Sequence, residues 1–267
     1  MTISKKRMNL VRSLTRKKNR DQNNLFLVEG LRLTREAVLS DFEIEEAYYT
    51  SGILNQPGGH DLVRDLERKA RRIQKLTSKE LQSFSSTVTT QGVLALVRKR
   101  MIGAESMLLT ENVPHLIVAC DAISDPGNLG SIIRTCDWFA VDGLLLGRST
   151  VDLTNPKVVR GTMGGIFRVP IAEEVDLQST LQEAERLGYS LYLSDPEGAL
   201  DAGRVVFERK VFVVFGNEAH GFSEGINSLA GRRLRIPRYG KAESLNVGVA
   251  CGVVLSAIRQ ARKEMVV

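Results

Sequence analysis

Cysteine, aromatic residues and long apolar runs are all scarce in this chain, and each shortage removes a class of protein. The three cysteines, Cys120, Cys136 and Cys251, are widely spaced and odd in number. They form neither a CxxC metal pair nor a disulfide framework, so no metal is expected and a reducing cytosol suits them best. No apolar run approaches the roughly 18–20 residues of a membrane span, and the N-terminus lacks the apolar core of a secretory signal. The expectation is a cytoplasmic protein with no membrane partner. The glycine-marked loops fit neither GxGxxG nor GxxxxGK followed by Ser or Thr, which takes the main support from a nucleotide-dependent oxidoreductase or a P-loop enzyme. Aromatic residues make up 6% of the chain, and between residues 25 and 100 they are too sparse to display the stacking platforms of single-strand RNA readers.

Acidic residues are missing altogether from the first twenty positions, which hold eight basic ones, while the other 247 carry 29 positive against 31 negative charges. The formal net charge of +6 therefore resides in this segment. On a helix it places Leu10, Val11 and Leu14 on one face among Lys5, Lys6, Arg7, Arg12, Arg16, Lys17, Lys18 and Arg20. An organelle transit peptide would need a cleavage region, yet the chain runs directly into the strand-like LFLVEG from Leu25. A solvated basic helix face and a phosphate contact driven by counterion release both remain open on composition alone.

What is present is an ordinary globular composition, 43% hydrophobic and 25% charged over 267 residues, long enough for two domains. From residue 25 to 100, LFLVE, IEEAYYT, IQKL and GVLALVR read as strands, alternating with the helical LRLTREAVLS and HDLVRDLERKARR and with a short helix opened by a Thr77–Glu80 capping box. This is a small α/β unit. Its basic helix, with Arg64, Arg68, Lys69, Arg71 and Arg72, reads as a wet face or as an extension of a phosphate-binding surface. The aperiodic stretch near RMIGAESMLLTENVP marks a boundary, giving domains 1–105 and 114–267 with a linker at 106–113. The second domain alternates again: HLIVACD, GLLL, IFRVP, SLYLSD, KVFVVFG and RLRIPR as strands, and helices at SIIRTCDWFA, PKVVRGTMG, LQSTLQEAERLG and from Ser244 to Lys263. Strands so continuously apolar belong to a parallel sheet covered on both faces.

Three glycine-marked loops follow strands of this half, where ligands of parallel sheets collect. They are DPGNLG from Asp125 with Arg134 one turn later, GNEAHG from Gly216, and the stretch Ile236 to Asn246. In order and spacing, NLGSIIRTCDWFAVDGLLL, FGNEAHGFS and IPRYGKAESLNVGVACGVVLSAI resemble the three motifs of the SpoU (TrmH) family of RNA ribose 2′-O-methyltransferases. Wording spread over Lys17 to Ala37 is similar to the L30e-like substrate-binding domain that many members carry. The resemblance implies an α/β SPOUT fold with a C-terminal trefoil knot, S-adenosylmethionine as cofactor, RNA as partner, with rRNA (23S) favoured over tRNA, and a homodimer. Nothing in the hydrophobic pattern points to a knot, which is implied by the resemblance alone.

The resemblance also assigns residues. Asn128, Arg134, Glu218, Ser244 and Asn246 fall at catalytic positions, and Gly216, Ile236 and Leu245 at positions whose backbone groups hold the adenosyl part. A guanidinium is effectively always protonated, so Arg134 stands either as base, as stabiliser of a developing alkoxide, or as a phosphate clamp. Each residue also has a plain structural reading: a salt bridge for Arg134, a helix N-cap for Asn128, Ser244 and Asn246, and a helix-start carboxylate for Glu218. Glu218 is expected to anchor Arg134 or the substrate. Gly248 is expected at a helix contact, and His220 is left out because the motif does not call for histidine. Rival readings are a tRNA methyltransferase and a noncatalytic RNA-binding protein that keeps the fold.

Overall fold

The computed structural model describes residues 3–85, 90–110, 112–229 and 231–263. The chain parts into two compact units, one formed by residues 1–100 and 152–168, the other by 101–151 and 169–267. Among the described residues no helix is long and apolar enough to cross a membrane.

The first unit holds a sheet of β1 (Leu25–Glu29), β2 (Ile44–Tyr49), β3 (Ile73–Lys75) and β4 (Val93–Arg98) in the order β1-β4-β2-β3. All its pairings are antiparallel except β2 with β3. The flanking helices Leu31–Leu39 and Gly59–Lys69 bury the apolar stripes their spacing predicts, Leu33 and Ala37 on one, Leu62, Val63 and Leu66 on the other. Thr77 and Glu80 form the expected capping box.

The basic N-terminal segment is built into this unit rather than laid on it. Helix Lys5–Ser13 buries Val11, and Leu14 follows it into a cluster with Leu25, Leu27, Tyr48, Leu81 and Phe84. Arg7 Nε donates to Glu46 at 2.6 Å, and Arg12 Nε to the Ser83 carbonyl at 3.0 Å. Arg20 is 2% exposed; it pairs with Asp152 and donates to Thr154 Oγ1 at 3.1 Å and to the Leu14 and Thr15 carbonyls at 2.8 Å. Lys5, Lys6, Arg16 and Lys18 stay exposed, with no hydrogen bond or ion pair among the described residues. The second basic helix is largely self-neutralised: Arg64 meets Asp61, Arg71 meets Glu43 and Glu45, and Lys69 caps the Val38 and Ser40 carbonyls.

Residues 152–168, which the sequence reading assigns to the second domain, pack in the first unit. Asn155 caps helix Pro156–Gly161, which buries Val158 and Val159, and Phe167 stacks on Phe26 (6.4 Å between centroids) and meets Phe42 edge-on (5.2 Å). The strand expected over IFRVP is a short 3-10 turn, Gly165–Phe167, instead. Gly164 at φ 102° breaks extension there, and a Cβ on it would lie 2.7 Å from Glu36 Cγ.

The second unit carries β5 (His115–Cys120), β6 (Gly143–Gly147), β7 (Ile171–Val175), β8 (Ser190–Ser194), β9 (Leu200–Asp201), β10 (Lys210–Phe215) and β11 (Arg232–Arg235). Their order is β7-β6-β5-β10-β8-β11-β9 and every pairing is parallel. β5 and most of β10 are buried end to end, as expected for a sheet covered on both faces. The chain runs outward from β5 to β7, crosses to β8, and returns to place β10 between β5 and β8. The C-terminal ends of β5, β10, β8 and β11 are therefore neighbours, and the loops leaving them share one edge.

Candidate active site

Helix Pro126–Trp138 begins earlier than its apolar period suggests. Asp125 is the N-cap, its Oδ1 accepting from the Asn128 N–H at 2.8 Å, and Pro126 fills a first-turn position where no N–H is needed. The N-cap reading for Asn128 is thereby corrected. Its side chain instead donates to Glu218 Oε1 and accepts from Asn246 Nδ2 at 2.8 Å. Glu218, Asn128 and Asn246, one from each motif, form a single hydrogen-bonded chain.

Glu218 sits on a turn, not at a helix start. The turn is organised by Asn217, whose Nδ2 donates to the Ala122 carbonyl at 2.8 Å while its Oδ1 accepts from the Ala219 and His220 N–H groups at 2.9 and 3.1 Å. Gly216 is required by close approach, since a Cβ there would lie 2.8 Å from the Gly221 carbonyl oxygen. Asn246 is the cap of helix Val247–Lys263, its Oδ1 accepting from Gly248 and Val249 at 3.0 and 3.3 Å. That helix starts at Val247 rather than Ser244, because Asn246 takes its first free N–H groups; Ser244 is exposed and caps nothing among the described residues.

The helices Pro126–Trp138 and Val247–Lys263 pack closely, with Gly248 at the contact: a Cβ on it would sit 3.1 Å from Ser131 Cβ. Cys136 and Cys251 meet there, fully buried. Their hydrogen bond and then burial push the Cys136 thiol up, and burial pushes Cys120 up, so these thiols are packing groups and not nucleophiles. Arg134 projects from the middle of its helix, exposed, with no hydrogen bond or ion pair among the described residues. The salt bridge and the Glu218 anchor considered for it are both absent, and its five-donor fork faces solvent.

Beside this chain lies a cavity of about 870 Å³ at the ends of β8, β10 and β11, lined by Gly216, Glu218, Ile236, Ser244 and Leu245. Asn128, Arg134 and Asn246 are outside its lining. The volume falls in the range of about 300–1,000 Å³ typical of small-ligand sites. The wall also carries Asp195 and Arg233, which no motif pointed to. Arg233 Nη1 meets Asp195 Oδ2 at 2.5 Å and its Nη2 donates to Asn227 Oδ1 at 3.1 Å. Only the adjacency of β8 and β11 brings these residues together. His220 lines the cavity as well.

The chain matches the SpoU rRNA Methylase family over residues 115–256 and the MRM3-like substrate binding domain over residues 5–95. It is 30% identical over 251 residues to the 23S rRNA (guanosine(2553)-2'-O)-methyltransferase RlmP of Bacillus subtilis, spanning 93% of this chain and 94% of that protein. Among solved structures, an AdoMet-bound rRNA methyltransferase from Sinorhizobium meliloti matches with a TM-score of 0.85 at 27% identity, over 97% of this chain and 96% of that one. The SpoU methyltransferase AviRb from Streptomyces viridochromogenes matches with a TM-score of 0.82 at 25% identity, over 97% and 98% of the two chains.

Proposed function

The chain belongs to the SpoU rRNA methylase family and is an RNA methyltransferase, and from that premise we propose that it methylates a ribose 2′-hydroxyl of structured RNA, with 23S rRNA as the substrate and S-adenosylmethionine as the donor. The observation that carries this reading is the hydrogen-bonded chain Glu218–Asn128–Asn246, which joins all three motifs at the edge of the cavity. Binding alone does not call for such a linkage. The 23S rRNA activity of the Bacillus subtilis relative supports the choice of RNA.

When bound, S-adenosylmethionine supplies a methyl group on a cationic sulfur. The cavity suits it: Phe215, Phe222, Ile236 and Leu245 offer apolar wall, and Asp195 and Glu218 offer carboxylates to a positive centre. Gly216, Ile236 and Leu245 hold the adenosyl part through backbone groups. A ribose hydroxyl is a weak nucleophile, so its oxygen must be held in line at about 3–3.5 Å and its developing charge stabilised. Arg134 stabilises that charge or the neighbouring phosphate through its planar fork. Asn128 and Asn246 position Glu218, and Ser244 faces the cavity. A knotted threading of the C-terminal unit belongs to the same proposal.

We further assign the active form as a homodimer. Arg134 shares its exposed helix stripe with Trp138, which is 83% exposed, and the packed terminal helix exposes Val249 and Val253 beside it. A second copy on this apolar face would surround Arg134. Sedimentation at micromolar concentration is expected to give twice the chain mass, and Glu at both Val249 and Val253 to give monomers without methyl transfer. The function itself is tested by mapping 2′-O-methyl sites in total RNA from cells with and without the protein. Loss of one 23S rRNA site is expected; loss of a tRNA site would overturn the substrate, and no lost site would overturn the activity.

A further inference from the structure

We propose that Tyr239 is a stacking platform for a base of the RNA strand at the mouth of the cavity, an inference that rests on the ribose methylation reading. Of the aromatic side chains in the described residues, only Tyr239 and Trp138 are exposed, at 97% and 83%. Trp138 is not among the residues that line the cavity, whereas Tyr239 belongs to the loop that lines it. Where the other described rings of Phe and Tyr are buried or half-buried, a ring with both faces in water beside the site is placed to receive a planar partner.

Three observations identify that partner. Arg238 and Lys241 flank the ring in sequence, both exposed and without a hydrogen bond or ion pair among the described residues. Unpaired cations around an exposed ring are the combination that holds a single strand, phosphates on the cations and a base on the ring. The loop is also tied to the reaction centre at its far end, where Asn246 donates to Asn128, so a base stacked on Tyr239 lies within one loop of the linked motif residues. Finally, Tyr239 belongs to the cavity lining only at its open rim. A side chain closing over the cofactor would be covered in part by its neighbours, while Tyr239 is 97% exposed and Gly240 has open space around it. The ring therefore serves the nucleic acid and not the adenine of the donor.

The test uses full-length protein with Tyr239→Phe, Tyr239→Leu and Tyr239→Ala. Methyl transfer to total RNA from cells lacking the protein is measured alongside binding of a fluorescein-labelled single-stranded oligoribonucleotide, S-adenosylmethionine affinity by calorimetry, and mass by sedimentation. Ala and Leu are expected to lower kcat/KM for RNA and oligonucleotide affinity by roughly 5- to 150-fold, the range that loss of one stacked base gives. Phe, which keeps the ring, is expected to restore both, with donor affinity within about two-fold throughout. Wild-type values for the Ala variant overturn the proposal, and so does a Phe variant as weak as Ala, which would assign the role to the hydroxyl. A proportional fall in donor affinity would move the ring into the cofactor site, and a change of mass would move it into a protein interface; either overturns the platform. Tyr239-dependent oligonucleotide binding without any methyl transfer by the wild type would leave the platform standing and overturn the ribose methylation reading.

Discussion

Arg134 has no partner among the described residues of its own unit, so substitutions there report on chemistry more than on folding. Arg134→Lys keeps the charge and loses the planar fork; methyl transfer is expected to fall on the order of 100-fold with donor affinity little changed, and to stay low from pH 7 to 9. A rate that climbs with pH as the lysine approaches its own pKa of about 10.4 would assign the position to a base instead. His115 makes a different case, remote from the site. It is buried, with Nδ1 2.7 Å from the Tyr189 hydroxyl, and burial lowers its pKa, Lys210 and Arg262 acting in the same direction and Asp142 against it. The folded state thus binds fewer protons than the unfolded chain below the unfolded value of about 6.5. Stability from this residue is complete above that pH and is lost as pH falls through it. Thermal melting from pH 7.5 to 5.5 is expected to show a steeper fall in Tm for wild type than for His115→Gln, and equal slopes would remove His115 from the account. Asn128, Glu218 and Asn246 were legible because they stand in motifs. Asp195 and Arg233 were not, because 38 residues separate them and only strand order makes them neighbours.

The two helices that carry Asn128 and Asn246 are held at close range by Gly248, and that contact is the element on which the hydrogen-bonded chain depends. Gly248→Val would push a branched side chain into Ser131, already 3.1 Å from the position of a Cβ. A destabilisation of about 1–3 kcal/mol is expected, read as a lower Tm, together with a loss of methyl transfer because Asn246 moves from Asn128. A Tm equal to wild type would mean that the helices separate without strain. Most strands could be read from the sequence because parallel, two-sided burial leaves an unbroken apolar run. Helix ends were harder: Asp125 acts as a cap inside what read as a loop, Asn246 rather than Ser244 caps the terminal helix, and Gly164 ended a segment whose residues otherwise suit a strand. The helical contact of Gly248 was legible, since a small residue in a helix has few other uses.

At the scale of the molecule, the positive charge concentrated at the N-terminus is divided between residues that hold the fold and residues exposed to solvent. Arg7 and Arg20 are held by carboxylates and Val11 and Leu14 are core, so deleting the segment would remove structure along with charge. Replacing Lys5, Lys6, Arg16 and Lys18 with Gln leaves the packing intact. RNA affinity measured at several salt concentrations is expected to weaken, with the log–log slope reduced by roughly 0.7–0.9 for each phosphate that is no longer neutralised. An unchanged slope would take this face out of the RNA surface. The division of the chain could not be read from composition, because residues 152–168 carry the same α/β pattern as their surroundings and reveal their allegiance through contacts with Phe26, Phe42, Glu36 and Arg20. The chain consequently passes between the units three times, at 100, 151 and 168. The unit that matches a substrate binding domain is therefore not a detachable cassette. A recombination event that exchanged residues 1–100 alone would strand Val158, Val159, Ile166 and Phe167 without the surface they were selected against, and a new specificity could be grafted only by transplanting two separate stretches of gene together.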